Sequence, residues 1–229
     1  MDGPTRAAGR AGVRWLLDLQ NGDGGIPTFC PGWGALPFHR SAPDLTAHAL
    51  RAWSAWLPQC DDALKKRAER GIARAVAYLA RTRRADGSWL PLWFGNEHAP
   101  GDENPLYGTA KVVAALRELR DRGTAFPEEM LRAGVRWLAA AQNAGGGWSG
   151  IRSGPSSVEE TALAVAALAG TAEVAAVESG AGWLAARVQT GAWREPAPIG
   201  FYFAKLWYSE RLYPLIFATA ALGKIAALR

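Results

Sequence analysis

Two kinds of helical segment alternate along the chain, and they differ in how polar residues are distributed around them. Segments of the first kind carry Arg, Glu and Asp between their apolar positions; they lie at about 5–20, 62–83, 127–142 and 174–189. Segments of the second kind are rich in Ala and small apolar residues nearly all round; they lie at about 43–57, 105–122, 156–170 and 212–228. A helix that is apolar on every side is packed on every side. The pattern predicts eight helices, the first kind outside and the second kind inside.

The same unit recurs four times. Each first helix ends near an aromatic-Leu pair, namely Trp15-Leu16, Tyr78-Leu79, Trp137-Leu138 and Trp183-Leu184. A Gly-rich turn follows, at 20–25, 83–89, 142–148 and 189–193. Each second helix carries a Thr-Ala pair, at Thr46, Thr109, Thr161 and Thr219. Such repetition is typical of stacked hairpins. We expect an all-α fold, an incomplete α/α toroid of about four helical hairpins forming a single domain over 1–229, and no β-strand competes with that assignment.

The ends of the segments carry local signals. Ser41 with Asp44, and Ser156 with Glu159, have the spacing of a capping box, in which a hydroxyl and a carboxylate satisfy free N–H groups at a helix start. Asn104 before Pro105 predicts a helix start as well. Three loops are longer than a turn requires, at 26–42, 90–104 and 194–211, and they are rich in Pro, Gly and aromatic residues. Long structured loops are often functional, and we expect all three at one end of the toroid.

The composition is that of a globular protein, with 49% hydrophobic and 21% charged residues. Eleven Trp favour packing between repeats and an apolar cavity lining. The net charge is +5, but the basic residues are scattered. We interpret them as the solvated face of the outer helices and expect no nucleic-acid partner. The most apolar helical segment, 212–228, is too short for a membrane span and contains Lys224.

The sequence has no motif that is typical of a metal or cofactor site. Cys30 and Cys60 lack metal-ligand spacing and predict reduced thiols in the cytoplasm. The three His, at 39, 48 and 98, do not combine with Cys or carboxylates in a metal pattern. No Gly-rich loop is followed by the Lys-Ser/Thr of a phosphate site. We therefore expect neither a cofactor nor a metal.

Several segments together resemble the squalene–hopene and oxidosqualene cyclases, the class II triterpene cyclases. The turn pattern Gln-x(2–5)-Gly-x-Trp is similar to the repeat of that family. Further similar segments follow in the family's order and cover nearly the whole chain; they are 43–48, 74–79, 86–89, 93–96, 106–109, 212–214 and 221–223. The resemblance implies an α/α toroid that cyclises squalene or a similar polyprenyl chain through carbocations, an isomerase reaction without cofactor or metal.

The resemblance extends only to the C-terminal part of the catalytic domain. The family's proton donor, Asp-x-Asp-Asp-Thr-Ala, is absent from the 229 residues, and so is its N-terminal domain. We expect the chain to be inactive alone and to need a complementing N-terminal chain, or to form a homodimer. The alternative is a non-catalytic module that binds an apolar ligand or lipid, or a cyclase remnant without activity. The family also implies peripheral contact with the inner membrane face.

The resemblance assigns roles to individual residues. His48 matches the histidine that hydrogen-bonds the catalytic aspartate, and Asp44 matches the residue that holds it. A polar pair at a helix start, with Asp44 complementing the helix dipole, is the alternative. The substrate-cavity aromatics implied by the family are Phe29, Trp93, Tyr107, Phe201, Trp207 and Tyr213, and plain core packing is the alternative for each. Ile26 and Arg83 depart from the turn pattern at a Trp and a Gln position.

One segment of the chain is a candidate replacement for the missing proton donor. Val158-Glu-Glu-Thr-Ala162 is similar to Val-Asp-Asp-Thr-Ala, on a different inner helix. A buried Glu159 or Glu160 with a raised pKa has the chemistry of a proton donor. First-turn carboxylates that cap a helix are the simpler interpretation.

Overall fold

The computed structural model describes residues 3–32, 35–202 and 206–228. Over these residues it has eight α-helices, close to the predicted bounds. They are α1 Gly3–Leu19, α2 Pro43–Trp56, α3 Asp62–Thr82, α4 Pro105–Asp121, α5 Glu128–Ala140, α6 Val158–Leu168, α7 Val174–Thr190 and α8 Tyr213–Ala226. The helical assignment made from the pattern of polar positions is therefore confirmed.

The long loops contain short strands that the sequence did not predict. β1 Ile26–Pro27 pairs antiparallel with β2 Ser41–Ala42, and β3 Gly200–Tyr202 pairs antiparallel with β4 Leu206–Tyr208. Strands of two or three residues are too short to show the alternation by which a strand is recognised. Trp33 and Gly34 in the first loop and Phe203–Lys205 in the third loop lie outside the described residues.

The chain divides into two compact units. Unit 1 comprises residues 1–83 and 115–128, and unit 2 comprises 84–114 and 129–229, so α4 contributes to both. In unit 1, α1, α2 and α3 pack on one another around Leu50 and Trp53, which are fully buried. In unit 2, α6 packs against α7 and α8. The single domain expected from the sequence stays a prediction.

Burial agrees with the inner position predicted for α6 but less so for α8. Every residue of α6 except Ala166 is buried. In α8 only Pro214, Ala218 and Ala221 are buried, although the helix has a single charged residue, Lys224. Much of the surface of α8, an apolar helix of unit 2, is therefore exposed to solvent.

The Gly-rich turns fasten successive hairpins together. Gly24, Gly87 and Gly146 occupy the same place in three turns and have φ between 90° and 97°, a region in which glycine has no steric cost. Each also lies against a backbone carbonyl of the following first helix, those of Arg74, Ala133 and Ser179 respectively. At Gly24 a Cβ would overlap the Arg74 carbonyl, and at Gly87 and Gly146 it would lie 3.1 and 3.0 Å from the carbonyl oxygens of Ala133 and Ser179. Together with the positive φ, this crowding explains the recurrent glycine.

The glutamine of the turn provides a second fastening. Gln20 Nε2 donates to the Gly24 carbonyl at 2.7 Å and to the Gly71 carbonyl of α3 at 2.9 Å. Gln142 Nε2 repeats this arrangement with the Gly146 carbonyl at 2.8 Å and the Ala176 carbonyl of α7 at 2.9 Å. One side-chain amide therefore joins a turn to the next hairpin in both units.

The threonine of the Thr-Ala pair holds the end of the turn. Thr46, Thr109 and Thr161 accept hydrogen bonds through Oγ1 from the backbone N–H groups of Ile26, Trp89 and Trp148, at 2.9, 3.0 and 2.9 Å. All three hydroxyls are buried. Thr219 departs from this pattern, because it is exposed near the middle of α8. The fourth repeat is similar in sequence but not in this contact.

Two predicted helix caps were wrong and one is confirmed. The N-cap of α6 is Ser157, whose Oγ accepts from the Glu160 N–H at 3.1 Å and donates to Glu160 Oε2 at 2.8 Å, so the capping box lies one residue after Ser156 and Glu159. Ser41 does not cap α2, because its hydroxyl donates to Asp23 at 2.8 Å. Asn104 does cap α4, accepting from the Tyr107 N–H at 3.0 Å.

Membrane-spanning length is not reached in the part of the chain that the structure describes: no helix there is long and apolar enough to cross a bilayer.

Candidate functional site

Two of the three long loops meet in unit 2. The Gly95 N–H donates to the Ile199 carbonyl at 3.0 Å, and the Phe201 N–H donates to the Trp93 carbonyl at 2.9 Å. Phe94 and Gly200 form a bridge between the two loops. The loop at 26–42 belongs to unit 1, so the gathering of all three loops stays a prediction.

An aromatic cluster lies where these loops approach α4 and α8. The rings of Phe94 and Tyr107 stack with centroids 3.6 Å apart and an interplanar angle of 8°. Tyr213 and Phe217 stack at 5.3 Å, and Tyr213 lies 6.4 Å from Phe94. We call these four residues, Phe94, Tyr107, Tyr213 and Phe217, the aromatic cluster. It joins two expected cavity residues, Tyr107 and Tyr213, to two that were not expected.

A positive charge lies on the faces of this cluster. The Lys111 ammonium is 5.0 Å from the ring centroid of Tyr107 and 5.0 Å from that of Phe217. Both distances are within the range in which a ring face attracts a cation. The rings are therefore oriented so that their π-faces meet a positive charge.

Other expected aromatics lie on the neighbouring loops of unit 2. Phe201 on β3 and Trp207 on β4 have centroids 4.7 Å apart. Trp93 is buried. Gly95 makes room for the Trp207 ring, since a Cβ there would lie 2.8 Å from it. The structure thus brings Phe201 and Trp207 into contact with each other.

The remaining expected aromatic, Phe29, belongs to unit 1. Its side chain is 59% exposed, and its ring centroid is 6.1 Å from that of Phe38. Its role as a cavity residue stays a prediction.

Tyr213 remains a neutral phenol over the physiological range. Burial is the main cause that raises its pKa to about 12, and its hydrogen bond with Tyr208 and the nearby Glu210 act in the same direction. Its ring can therefore serve as a neutral aromatic face and its hydroxyl as a hydrogen-bond partner.

Asp44 and His48 lie one turn apart on α2 in unit 1. Asp44 is buried in the first turn of the helix, and His48 is exposed. Burial is the main cause that raises the pKa of Tyr78, and the charges of Asp23 and Asp44 contribute, which places the Asp44 carboxylate near that phenol. The assignment of both residues to an acid-polarising pair stays a prediction.

The two glutamates of α6 differ sharply in their surroundings. Glu160 is buried, and its Oε1 accepts from Asn96 Nδ2 at 3.0 Å and Asn104 Nδ2 at 2.8 Å. With Ser157 on Oε2, it ties the loop at 90–104 to the start of α6. Glu159 is equally buried and also lines a cavity, but its Oε2 has no hydrogen-bond partner among the described residues. Burial raises the pKa of both carboxyls, that of Glu159 to about 7.

Sequence reasoning missed Phe94, Phe217 and Lys111. A signal was present for the two on helices, since Lys111 follows Tyr107, and Phe217 follows Tyr213, by one helical turn. Phe94 lies inside the segment 93–96 that carried part of the resemblance. Periodicity alone does not separate such residues from ordinary core.

The amino-acid sequence of the chain is similar to those of known proteins over nearly its whole length. The chain matches the family described as squalene-hopene cyclase C-terminal domain over residues 4–227. It is 32% identical to the squalene–hopene cyclase of Alicyclobacillus acidocaldarius, covering 96% of this chain and 36% of that protein. It is 29% identical to the probable squalene–hopene cyclase of Sinorhizobium fredii, covering 95% of this chain and 35% of that protein. The chain therefore spans about a third of the length of these relatives.

A solved structure shows the same fold. The ent-copalyl diphosphate synthase from Streptomyces platensis superposes with a TM-score of 0.66 and 22% identity, covering 93% of this chain and 37% of that one. This likeness confirms a helical fold of the α/α toroid type, as the repeats predicted. Taken with the family match over nearly the whole sequence, it shows that the chain belongs to the squalene-hopene cyclase C-terminal domain family.

Proposed function

We propose that the chain forms the C-terminal part of a polyprene cyclase, in which the aromatic cluster of unit 2 lines the cavity for squalene or a similar polyprenyl chain. The single observation that carries the proposal is the cluster itself. Its rings come from the loop at 90–104, from α4 directly after it and from α8, which is far away in sequence. Two of the rings present their faces to a positive charge. Aromatic faces stabilise cations without reacting with them as nucleophiles, which is what a carbocation cascade requires.

The acid comes from outside these 229 residues in this proposal. Protonation of an alkene needs a strong acid in a dry site, and a carboxyl group becomes stronger when a polarised neighbour stabilises its conjugate base. The sequence has no Asp-x-Asp-Asp to provide that carboxyl. In this proposal His48 polarises the incoming carboxyl group, and the buried Asp44 orients the exposed His48 towards it.

Equilibrium binding of labelled squalene tests the cavity assignment. Tyr213→Ala removes a half-buried ring of the cluster and should weaken binding about tenfold, since aromatic side chains carry a large share of apolar contact energy. Trp15→Ala is the matched control, because Trp15 is 60% exposed on α1 of unit 1. Equal squalene affinity in the unmodified chain and in Tyr213→Ala would contradict the proposal.

Product analysis separates a cyclase from a binding module. The chain alone should leave squalene unchanged, and cyclic hydrocarbons should form when a protein carrying the Asp-x-Asp-Asp region of a relative is added. In that assembly His48→Ala should abolish turnover while His98→Ala, which replaces an exposed His of unit 2, should not. Cyclisation by the chain alone would overturn the assignment of the acid. Binding without any turnover in the assembly would instead support the non-catalytic alternative.

A further inference from the structure

A cavity lies in unit 2, between the start of α6, the short 3₁₀ helix Ala192–Arg194 after α7, and the start of α8. Its volume is about 530 Å³, within the range of roughly 300–1,000 Å³ that is typical of small-molecule sites. Its walls combine apolar and charged side chains; they include Glu159, Trp193, Arg194, Arg211, Leu212 and Leu215. The cavity thus offers an apolar surface and a few polar groups.

Glu159 is the buried polar group of this cavity. The residue is only 2% exposed, and its Oε2 has no hydrogen-bond partner among the residues that the structure describes. The adjacent Glu160 shows that the same helix end can satisfy a carboxyl completely. A buried polar atom left without a partner is costly. An oxygen of this kind at the wall of a cavity is a candidate partner for a polar group of a ligand.

The protonation state of Glu159 determines which chemical group of a ligand can bind to it. Burial, assisted by the charge of Glu160, raises the pKa of Glu159 to about 7. The carboxylic acid and the carboxylate are therefore both present near neutral pH. A hydroxyl group suits both forms, because it accepts from the acid and donates to the carboxylate. An ammonium group suits only the carboxylate, and an ether suits only the acid.

The charged side chains around Glu159 favour a neutral ligand. The Arg194 guanidinium lies 4.4 Å from the Trp193 ring centroid, and Arg211 also lines the cavity. Glu195 is paired with Arg187 at 3.3 Å, and Glu210 lies at the same wall. Glu195 and Glu210 balance the charges of Arg194 and Arg211 at this wall, so apart from Glu159 the lining has no net charge to attract an ion, and a neutral ligand fits it.

We propose that this cavity binds an apolar alcohol, with the hydroxyl on Glu159 Oε2 and the hydrocarbon body against Trp193, Leu212 and Leu215. The site is independent of the proposed cyclisation, because it requires neither an external acid nor the aromatic cluster. It assigns to Glu159 a binding role that first-turn capping does not require.

The probe for the test is farnesol, compared with farnesyl methyl ether and with farnesene as the hydrocarbon. Calorimetric titration of the unmodified chain at pH 6, 7 and 8 should show farnesol binding about tenfold tighter than farnesene at every pH. The ether accepts but does not donate a hydrogen bond, so its affinity should fall as the pH rises through 7. Equal affinities for all three ligands would overturn the proposal.

Two variants assign the effect to Glu159. Glu159→Leu should bind farnesol and farnesene equally. Glu159→Gln keeps an acceptor and a donor without titrating, so it should retain the preference for farnesol and lose the pH dependence of ether binding. Glu210→Gln, at an exposed glutamate of the same wall, is the matched control. A farnesol preference that survives in Glu159→Leu, with the far-ultraviolet circular dichroism of the unmodified chain, would contradict the proposal.

Discussion

Glu159 and Glu160 are neighbours in the first turn of α6, yet within the described parts of the chain only Glu160 has hydrogen-bond partners for both carboxyl oxygens. Asn96, Asn104 and Ser157 complete Glu160, so this carboxyl joins a loop to a helix. The sequence marks both residues as candidate acids, because a Glu-Glu pair before Thr-Ala shows no difference between them. The difference comes from loop residues that fold back over α6, which a local pattern does not contain.

The raised pKa of Glu159 has a consequence for stability. Its folded value of about 7 exceeds the ordinary 4.5, so the folded state holds the proton more tightly than the unfolded state. The stability that it contributes is complete below about pH 4.5 and is lost as the pH rises to about 7. The free energy of unfolding should therefore fall between pH 5 and 8, by on the order of 2–3 kcal/mol from this residue.

Denaturant unfolding of Glu159→Gln at several pH values measures this contribution. The variant should show a smaller decrease over pH 5–8, and the remaining decrease should include Glu160, whose pKa is shifted in the same direction. Glu210→Gln should behave like the unmodified chain. Identical decreases in all three proteins would show that Glu159 does not titrate in this range.

Lys111 is the residue through which the cation preference of the aromatic cluster can be tested. Its ammonium lies on the faces of Tyr107 and Phe217, so a ligand cation has to compete with it for those two faces. Lys111→Met should raise the affinity for a prenyl trimethylammonium ion about tenfold, as expected for removal of a like charge at partial solvent screening. The affinity for the neutral hydrocarbon of the same shape should not change.

A double variant shows whether the rings cause that gain. Lys111→Met combined with Phe217→Leu keeps an apolar side chain but removes one ring face, and it should lose much of the increase. If the single and double variants bind the ammonium ligand equally well, the cluster does not stabilise cations through Phe217.

At the scale of elements, one buried threonine hydroxyl holds the turn to the second helix in the first three hairpins. Thr161 accepts from the Trp148 N–H at 2.9 Å, and both residues are fully buried. Thr161→Val keeps the shape but leaves that N–H without its partner, which should cost about 1–3 kcal/mol of unfolding free energy. Thr219→Val, at the exposed threonine of α8, should change it by less than about 0.5 kcal/mol. Equal effects in denaturant unfolding would contradict this role of the Thr-Ala pair.

The elements also show what a repeat pattern reveals and what it leaves open. Helix bounds followed from prolines and apolar positions, and at α4 also from the Asn104 cap. The β3–β4 pair could not be predicted, because a three-residue strand has too few positions to show alternation of apolar and polar residues. The contact between Phe94 and Tyr107 depends on how a loop crosses a helix, and spacing along the chain carries no information about that crossing.

At the scale of the whole molecule, α8 offers an apolar surface for association. Leu212, Leu215 and Ile216 are 60%, 43% and 55% exposed, and contiguous exposed apolar residues are typical of interaction surfaces. Static light scattering should therefore give a mass above that of one chain. Ile216→Glu should reduce the mass to 24.5 kDa, whereas Val188→Glu, at an exposed valine of α7, should not. A monomeric unmodified chain would contradict the prediction.

The most direct test of the account is to determine where a polyprene binds. A squalene analogue carrying a photoreactive diazirine, irradiated with the chain and mapped by peptide mass spectrometry, should label α4 and α8 at or beside Tyr107 and Tyr213. Competition with unlabelled squalene should remove that label, and Tyr213→Ala should weaken it. Labelling confined to the exposed face of α8, or labelling that squalene does not compete, would contradict the claim that the aromatic cluster lines a polyprene cavity.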